Sequence, residues 1–402
     1  MPLTYLSRHL PETIILAVVA ILQMAGLWML LRTPGSAARR RWILTAAAGS
    51  LMLLCIAFLL QFARVMMVVP RAWAALFRGA AFAWAAISAV WVVEFAVWRG
   101  IALVLRTRAP RPVSAKSDSP GQNQEHRRDF LRVGSVMVAA APVAVLAYGT
   151  FIERRRLGLH EVTVSFSGLP RDLDGVRIAQ LTDIHLSAFL SESELAHAVE
   201  LLNETKPHLS LVTGDLITSR GDPLDACLSH VAQLRAEAGV YGCLGNHEAY
   251  AEAEDYVERQ AALAGIRFLR STREKLRFGD SILNLAGVDY QPFHSKPYLA
   301  ETRPLVEPGA LNVLLSHNPD VFPVAARQGY ALTIGGHTHG GQVNFEILKQ
   351  NLNVARFYTP YTRGLYQEGA SALYVSRGLG TIGLPTRLGA PPEVTLLTLR
   401  GS

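Results

Sequence analysis

The chain predicts a helical, membrane-spanning first part followed by an α/β domain of mainly parallel β-structure covered by helices. Three observations carry this expectation. Apolar runs of span length fill residues 1–151, short apolar runs alternate with amphipathic helices from Leu157 onward, and the charge is divided between the two parts.

The spans come first. Of the 402 residues, 50% are hydrophobic and only 18% charged, which is apolar for a soluble protein. Runs of about 20 apolar residues are long enough to cross a bilayer core of about 30 Å. The candidates are 13–31, 43–63, 79–97 and 133–151. A buried helical core would need a polar face, which these runs lack. The expected organisation is a three-span helical region over 1–105, a polar cytoplasmic linker over 106–129, a fourth span or signal-anchor helix over 130–151, and the α/β domain over 157–402.

The net charge of +7 is unevenly spread. Residues 1–156 carry 19 Lys and Arg against 6 Asp and Glu, and residues 157–402 carry 20 against 26. The basic excess therefore flanks the apolar runs, where it reads as membrane flanking, and nucleic acid is not expected as a partner. Arginine-rich short loops stay cytoplasmic. That places 32–42 and the linker inside, with the N-terminus and everything after the fourth span outside. Arg64, Arg71 and Arg78, and the run Arg154-Arg155-Arg156, oppose this orientation. "RRDFLRVG" at 127–134 resembles a twin-arginine export signal, whose machinery would then be a partner; a plain positive-inside flank is the alternative. Cys55, Cys227 and Cys243 form no CxxC or paired spacing, so neither a thiolate metal site nor a disulfide framework is expected.

In the second part, 176–181, 209–212, 240–244, 311–315 and 331–334 read as buried strands. Ser191 with Glu194 makes a capping box ahead of Leu195, Ala198, Val199 and Leu202, which share one helix face. Asp222-Pro223 reads as a cap followed by proline at the first helical position, and Gly265 closes a helix that begins near Glu252. Strand–helix alternation implies parallel pairing covered on both faces. Residues 267–289 look antiparallel instead, turning at Phe278-Gly279-Asp280, so a second sheet is expected, and the tail "PEVTLLTLR" extends one of the two.

Each of the five strands is followed at once by polar residues. They are Asp183-Ile184-His185, Gly214-Asp215, Gly245-Asn246-His247-Glu248, His317, and "GGHTHGG" with His337 and His339. Loops beyond the carboxyl ends of strands in an open α/β sheet share one crevice. Singly, these residues read as helix caps and turns; together they read as a shared metal site. Carboxylates, imidazoles and an Asn carbonyl without thiolate suit Mn, Fe, Zn or Co. The glycines let the chain turn sharply and leave room for substrate. Arg377 and Arg387 read either as phosphate contacts or as surface residues, and Asp289 and His294 as loop residues.

This order of motifs resembles the calcineurin-like metallophosphoesterases over residues 160–400, and "GGHTHGGQ" with "SRGLGTIGLP" resembles their membrane-associated bacterial branch. The resemblance implies a four-layer α-β-β-α sandwich with two divalent metal ions. Asp183, His185 and His339 would bind the first metal and Asn246, His317 and His337 the second, with Asp215 bridging. His247 would stand by the leaving group as the catalytic proton donor or as a positive charge; a loop role orienting Asp183 is the alternative. Such a pair activates a bridging water for attack on a phosphate ester or phosphodiester. The expected protein is thus a multi-pass cell-membrane hydrolase with its catalytic domain extracytoplasmic and a phosphoester substrate, lipid-linked or of the envelope.

Two rivals are weighed. A metallo-β-lactamase-type hydrolase should carry His-x-His-x-Asp-His, where this chain has Gly340 and Gly341. A non-catalytic membrane sensor would bind phosphorylated ligands through the same domain, against which His247 beside a full ligand set speaks.

Overall fold

The computed structural model describes residues 10–32, 36–62, 71–108, 122–292, 297–347 and 350–402. Residues 109–121 of the expected linker, and His294, lie outside the described residues. The chain divides into two compact units, Met1–Tyr148 and Gly149–Ser402.

The first unit holds α1 (Leu10–Leu31), α2 (Ala37–Phe62), α3 (Arg71–Arg108) and most of α4 (Gln122–Phe151). Among the described residues, Gly79–Ile101 and Val136–Arg155 are long and apolar enough to cross a membrane, whereas the apolar stretches of α1 and α2 are shorter, Ala17–Trp28 and Ile43–Leu53. Four spans were expected; among the described residues two of span length are seen. A polar chain ties the first three helices: Trp84 Nε1 donates to Ser50 Oγ (2.7 Å), Ser50 Oγ to Gln23 Oε1 (2.9 Å), and Gln23 Nε2 to Ser88 Oγ (2.6 Å). Such bonds join helices whose surfaces are otherwise uniformly apolar.

The second unit begins with β1 (Gly158–Phe166), β2 (Arg177–Leu181), α5 (Glu192–Glu204), β3 (Leu209–Thr213), α6 (Leu224–Val231), β4 (Val240–Cys243), α7 (Asn246–Ala251), α8 (Glu254–Leu263) and β5 (Ile266–Phe268). There follow β6 (Thr272–Phe278), β7 (Ser281–Gly287), β8 (Leu311–Leu315), α9 (Phe322–Gln328), β9 (Leu332–Gly335), a hairpin β10 (Asn344–Ile347) and β11 (Gln350–Asn353), then β12 (Gly364–Glu368), β13 (Ser371–Val375) and β14 (Glu393–Gly401). They form two six-stranded sheets, ordered β1-β14-β2-β3-β4-β5 and β12-β13-β9-β8-β7-β6.

Side-chain alternation decides how these sheets stack. Ile178, Leu209, Leu211 and Tyr241 of the first sheet share a core with Leu283, Leu285, Val313, Leu315, Leu332 and Ile334 of the second, so the sheets pack face to face. The intervening Ala179, Leu181 and Val212 point the other way, onto Leu195, Ala198, Val199 and Leu202 of α5. On the far side, Ala286 and Leu314 pack on Val321, Ala325 and Tyr330. The result is the four-layer α-β-β-α sandwich.

The five anticipated strands form, as does the Ser191 capping box, with Glu194 N donating to Ser191 Oγ at 3.2 Å and Ser191 N to Glu194 Oε2 at 2.8 Å. The turn at Gly279-Asp280 closes the β6–β7 hairpin. Other details differ. The stretch expected to be antiparallel from 267 is split: Arg267 lies in β5, parallel to β4 in the first sheet, and only from Thr272 does the chain enter the second. The helix α6 starts at Leu224, because the Asp222 carboxylate accepts from the N–H groups of Thr218 (3.0 Å) and Ser219 (2.8 Å) and closes the preceding turn instead of capping. The helix expected from near Glu252 forms as α8 from Glu254, and the left-handed Glu252 separates it from the unanticipated α7. The tail strand β14 lies inside the first sheet, parallel to β1 and antiparallel to β2.

Leu285 is fully buried between the sheets. Leu285→Ala should lower stability by about 2–5 kcal/mol, against about 1 kcal/mol for loss of the Ser191 cap. Denaturant unfolding of both variants checks this, and equal losses would show that the inter-sheet core is not dominant.

Candidate metal centre

The expected crevice belonged to a single open sheet; the structure builds it from two. The carboxyl ends of β2, β3 and β4 in the first sheet and of β8 and β9 in the second meet along one edge. Gln180 stitches that edge, its buried Nε2 donating to Thr213 Oγ1 (2.8 Å) and, across the sheets, to the Gly335 carbonyl (2.9 Å).

The backbone there is unusual. Of ten described non-glycine residues with positive φ, five are Asp183, His185, Asp215, His337 and His339. Left-handed backbone costs a non-glycine residue about 1 kcal/mol or more and persists where the surroundings over-determine it. Glycines make the crowding feasible: a Cβ on Gly214 (φ +90°) would lie 2.7 Å from His317 Nδ1, and one on Gly336 2.1 Å from Asp183 Oδ2.

Asp183, His185, Asp215, Asn246, His317 and His339 are buried, and His337 partly so. Their ligand atoms gather in three overlapping groups, Asp183–His185–His339, His185–Asp215–His247 and Asp215–His317–His337, each within 4.8 Å. Asp215 Oδ1 accepts from the His247 N–H at 2.9 Å, while Oδ2 faces inward, 3.5 Å from His185 Nε2 and 3.0 Å from His317 Nε2. Asp183 is held by the Thr182 hydroxyl (2.8 Å) and the His337 N–H (2.9 Å), with Oδ1 3.4 Å from His339 Nε2. The Nε2 atoms of His185 and His339 are 3.2 Å apart.

These contacts amount to a test of whether cations fit. His317 gives Nδ1–H to the Thr213 carbonyl at 2.7 Å, so its other nitrogen, Nε2, is turned toward Asp215 Oδ2 at 3.0 Å. Two lone pairs that close repel unless a proton or a cation lies between them. Asn246 Oδ1 is likewise buried without a hydrogen-bond partner. An orphaned amide oxygen, an imidazole nitrogen turned inward and two carboxylates make a donor set for hard-to-borderline divalent ions.

The electrostatics agree. Burial, then the neighbouring His317, lowers His337 to about 3, and burial holds His185 and His339 well below the usual imidazole range, so these rings are neutral at pH 7. Burial also lowers His317, but Asp215 and Asp183 outweigh it and raise the ring to about 10. Burial raises Asp183 to about 6 against the pull of His317. For Asp215 burial is overcome by His317 and His247, and its carboxyl is pushed well below the usual range.

His247, partly buried, donates Nδ1–H to the Thr218 carbonyl at 2.6 Å, leaving Nε2 for the site; its ring stands edge-on to His185 at 4.7 Å. Its contact is with Asp215, through the backbone, and not with Asp183. Sequence reasoning gave no role to Glu248, whose buried carboxylate accepts from the N–H groups of Gly245 (2.8 Å), Asp215 (2.9 Å) and Leu216 (2.7 Å) and so fixes the Asp215 loop. Its spacing three residues after Gly245 was the available signal. Tyr290 was also missed; its ring is 5.5 Å from that of His337. Arg387 is neither a surface residue nor a phosphate contact: fully buried, it donates to the carbonyls of Arg377 (2.9 Å), Ala390 (3.1 Å), Gly378 (3.1 Å) and Gly380 (3.2 Å). Arg377 pairs with Glu393, and Asp289 with Arg270 at 2.9 Å.

Comparison with known proteins agrees with this geometry. Residues 176–341 match the family model of the calcineurin-like phosphoesterases. The metallophosphoesterase YkuE of Bacillus subtilis is 30% identical over 286 residues, covering 69% of this chain and 98% of that protein. The chain belongs to the metallophosphoesterases. This is a family of metal-dependent phosphoester hydrolases. A transmembrane protein with metallophosphoesterase domain from Danio rerio is 30% identical over 289 residues, 66% of this chain and 62% of that protein, so the chain spans about three-fifths of that relative's length. Phosphodiesterase YaeI of Escherichia coli is 30% identical over 228 residues, 56% of this chain and 82% of that protein.

Two outcomes follow for this metallophosphoesterase. Glu248→Gln, which sets an amide N–H₂ against backbone donors, should weaken metal binding about 10–100-fold; unchanged affinity by calorimetry would show that Glu248 does not hold the Asp215 loop. At pH 7 the metal-free His317 carries a proton that must leave before it can ligate. Mn²⁺ affinity should therefore rise about tenfold per pH unit from about pH 7 toward 9, with about one proton released per ion. Below about pH 6 the Asp183 proton steepens the fall. A pH-independent affinity without proton release would remove His317 from the ligand set.

Proposed function

We propose that the chain is a membrane-anchored phosphoesterase that holds two divalent cations (Mn, Fe, Zn or Co) and hydrolyses a phosphate ester or phosphodiester by direct attack of water. Asp183, His185 and His339 take one cation and Asn246, His317 and His337 the other. The observation that carries this reading is Asp215 Oδ2, a single buried oxygen turned toward both His185 and His317. A bound pair of cations supplies charge for the phosphoryl oxygens and acidifies the attacking water.

The chain's own residues supply the rest. Asp183 and Asp215, pinned by backbone donors, cannot swing away, so they need no reorganisation when charge develops. His247 is oriented by the Thr218 carbonyl, which fixes the tautomer and leaves Nε2 to hold or deliver a proton at the leaving oxygen. A sensor that only bound phosphorylated ligands would have no use for that alignment.

Location completes the proposal. The helices α3 and α4 with their span-length apolar stretches, and the transmembrane relative, support membrane association, and we take the chain to cross more than once. With 32–42 and the linker cytoplasmic, the domain is extracytoplasmic, and Arg127-Arg128 at the head of "RRDFLRVG" serve the twin-arginine machinery. A substrate at the membrane surface or in the envelope then meets the site.

Metal analysis joined to hydrolysis of aryl phosphomonoesters and phosphodiesters tests this. Asp215→Asn should lose metal and activity together, whereas His247→Asn should keep its metal and lose about 10²–10⁴-fold in kcat. Full turnover after exhaustive chelation, or full turnover by His247→Asn, contradicts the proposal.

A further inference from the structure

The end of α4 is fixed to the back of the site. A Cβ on Gly149 would lie 2.6 Å from Thr386 Cγ2 and 2.8 Å from the Arg387 carbonyl oxygen, Thr150 Oγ1 is 2.6 Å from Thr386 Oγ1, and the Arg387 N–H donates to the Gly149 carbonyl at 3.1 Å. Arg387 is the buried guanidinium that clamps the loop behind His339. Residues 149–155, the end of the span-length stretch Val136–Arg155, therefore belong to the metal centre's supporting structure.

Where that stretch ends there is a cavity of about 470 Å³. Arg154 and Arg155 line one side; Ser187, Ala188 and Phe189, with Ser191 and Glu194 at the start of α5, line the other. Ser187 is two residues beyond His185, which puts their Cα atoms within about 7 Å of each other. The wall of this cavity is thus a direct continuation of the loop that bears Asp183 and His185. Arg154 is held in place by the Thr150 carbonyl (3.1 Å) and the Phe189 carbonyl, while Arg155 is exposed. Glu194 Oε2 accepts from the Ser191 N–H and hydroxyl at 2.8 Å each. Phe151 and Ile152, just before the arginines, are 65% and 48% exposed, large apolar side chains left uncovered where the span gives way to the domain.

We propose that this cavity is the lipid-side subsite of the metal centre and binds the headgroup of an anionic glycerophospholipid. Two guanidiniums offer the planar, multi-donor contacts that suit phosphate oxygens. The serine hydroxyls and Glu194 accept from headgroup hydroxyls, which a choline headgroup does not have. The size matches a small-molecule site, and the position at the end of a span is where lipid phosphates lie. Calling it a substrate subsite rests on the phosphoesterase reading; the binding itself does not.

The test uses the full chain in nanodiscs of mixed phosphatidylcholine and phosphatidylglycerol, with retained lipid read by native mass spectrometry. The unmodified chain should retain phosphatidylglycerol about tenfold above its bulk share. Arg155→Glu should abolish that preference, Arg155→Lys should keep part of it, and inorganic phosphate should not displace the lipid. Thermal unfolding shows that the variants are folded. Equal retention by Arg155→Glu and the unmodified chain overturns the proposal, and so does displacement by inorganic phosphate, which would mark a site for free anions. Metal-dependent hydrolysis of a soluble aryl phosphodiester by the unmodified chain is measured beside it. Loss of that activity with selective lipid retention would sink the phosphoesterase reading alone, and the converse result would sink the subsite alone.

Discussion

Two carboxylates buried among five imidazoles dominate the energetics of the second unit. A buried, uncompensated charge costs several kcal/mol, more than any single packing contact returns. The chain answers with backbone donors: Asp183 takes the His337 N–H, shared between its two oxygens, and Asp215 takes the His247 N–H on Oδ1, leaving Oδ2 for the centre. Those donors come from other strands' loops, and in the case of Asp183 from the other sheet. The electrostatics of the site thus require the two sheets to stack with their carboxyl ends on one edge, and the inter-sheet core holds them there.

The same constraint explains the strain. Five candidate ligands adopt left-handed backbone, and glycines beside them leave space that any side chain would fill. Arg387 belongs to this scheme: by closing the 377–390 loop chiefly through carbonyls, it lets Gly378 come close to Asp183. A hydrocarbon side chain could not bind those carbonyls, which would be left buried and unpaired.

Much of this was legible in the sequence. Buried parallel strands announce themselves as short apolar runs, and β2, β3, β4, β8 and β9 appear where such runs stand. The polar residues after them converge because strand ends do. What was not legible depends on tertiary contacts. No local pattern says that β2–β4 and β8–β9 belong to different sheets, or that β14 inserts beside β2. Asp222 looked like a helix cap because Asp before Pro often is; the nearby Thr218 and Ser219 N–H groups claim it instead. Arg387 was invisible as a support because nearly all of its partners are backbone carbonyls, which carry no sequence signal, and Glu248 offered only its spacing from Gly245. The hairpin β10–β11 and β12 lack the apolar alternation that marks a buried strand.

The account stands on Asp215 joining two cations. Anomalous diffraction from crystals of the Mn²⁺-loaded protein, recorded across the manganese edge, measures this most directly. Two peaks about 3.5–4 Å apart are predicted, with Asp215 between them, His185 and His339 on one and Asn246, His317 and His337 on the other. A single peak, or a pair that Asp215 does not bridge, would contradict it.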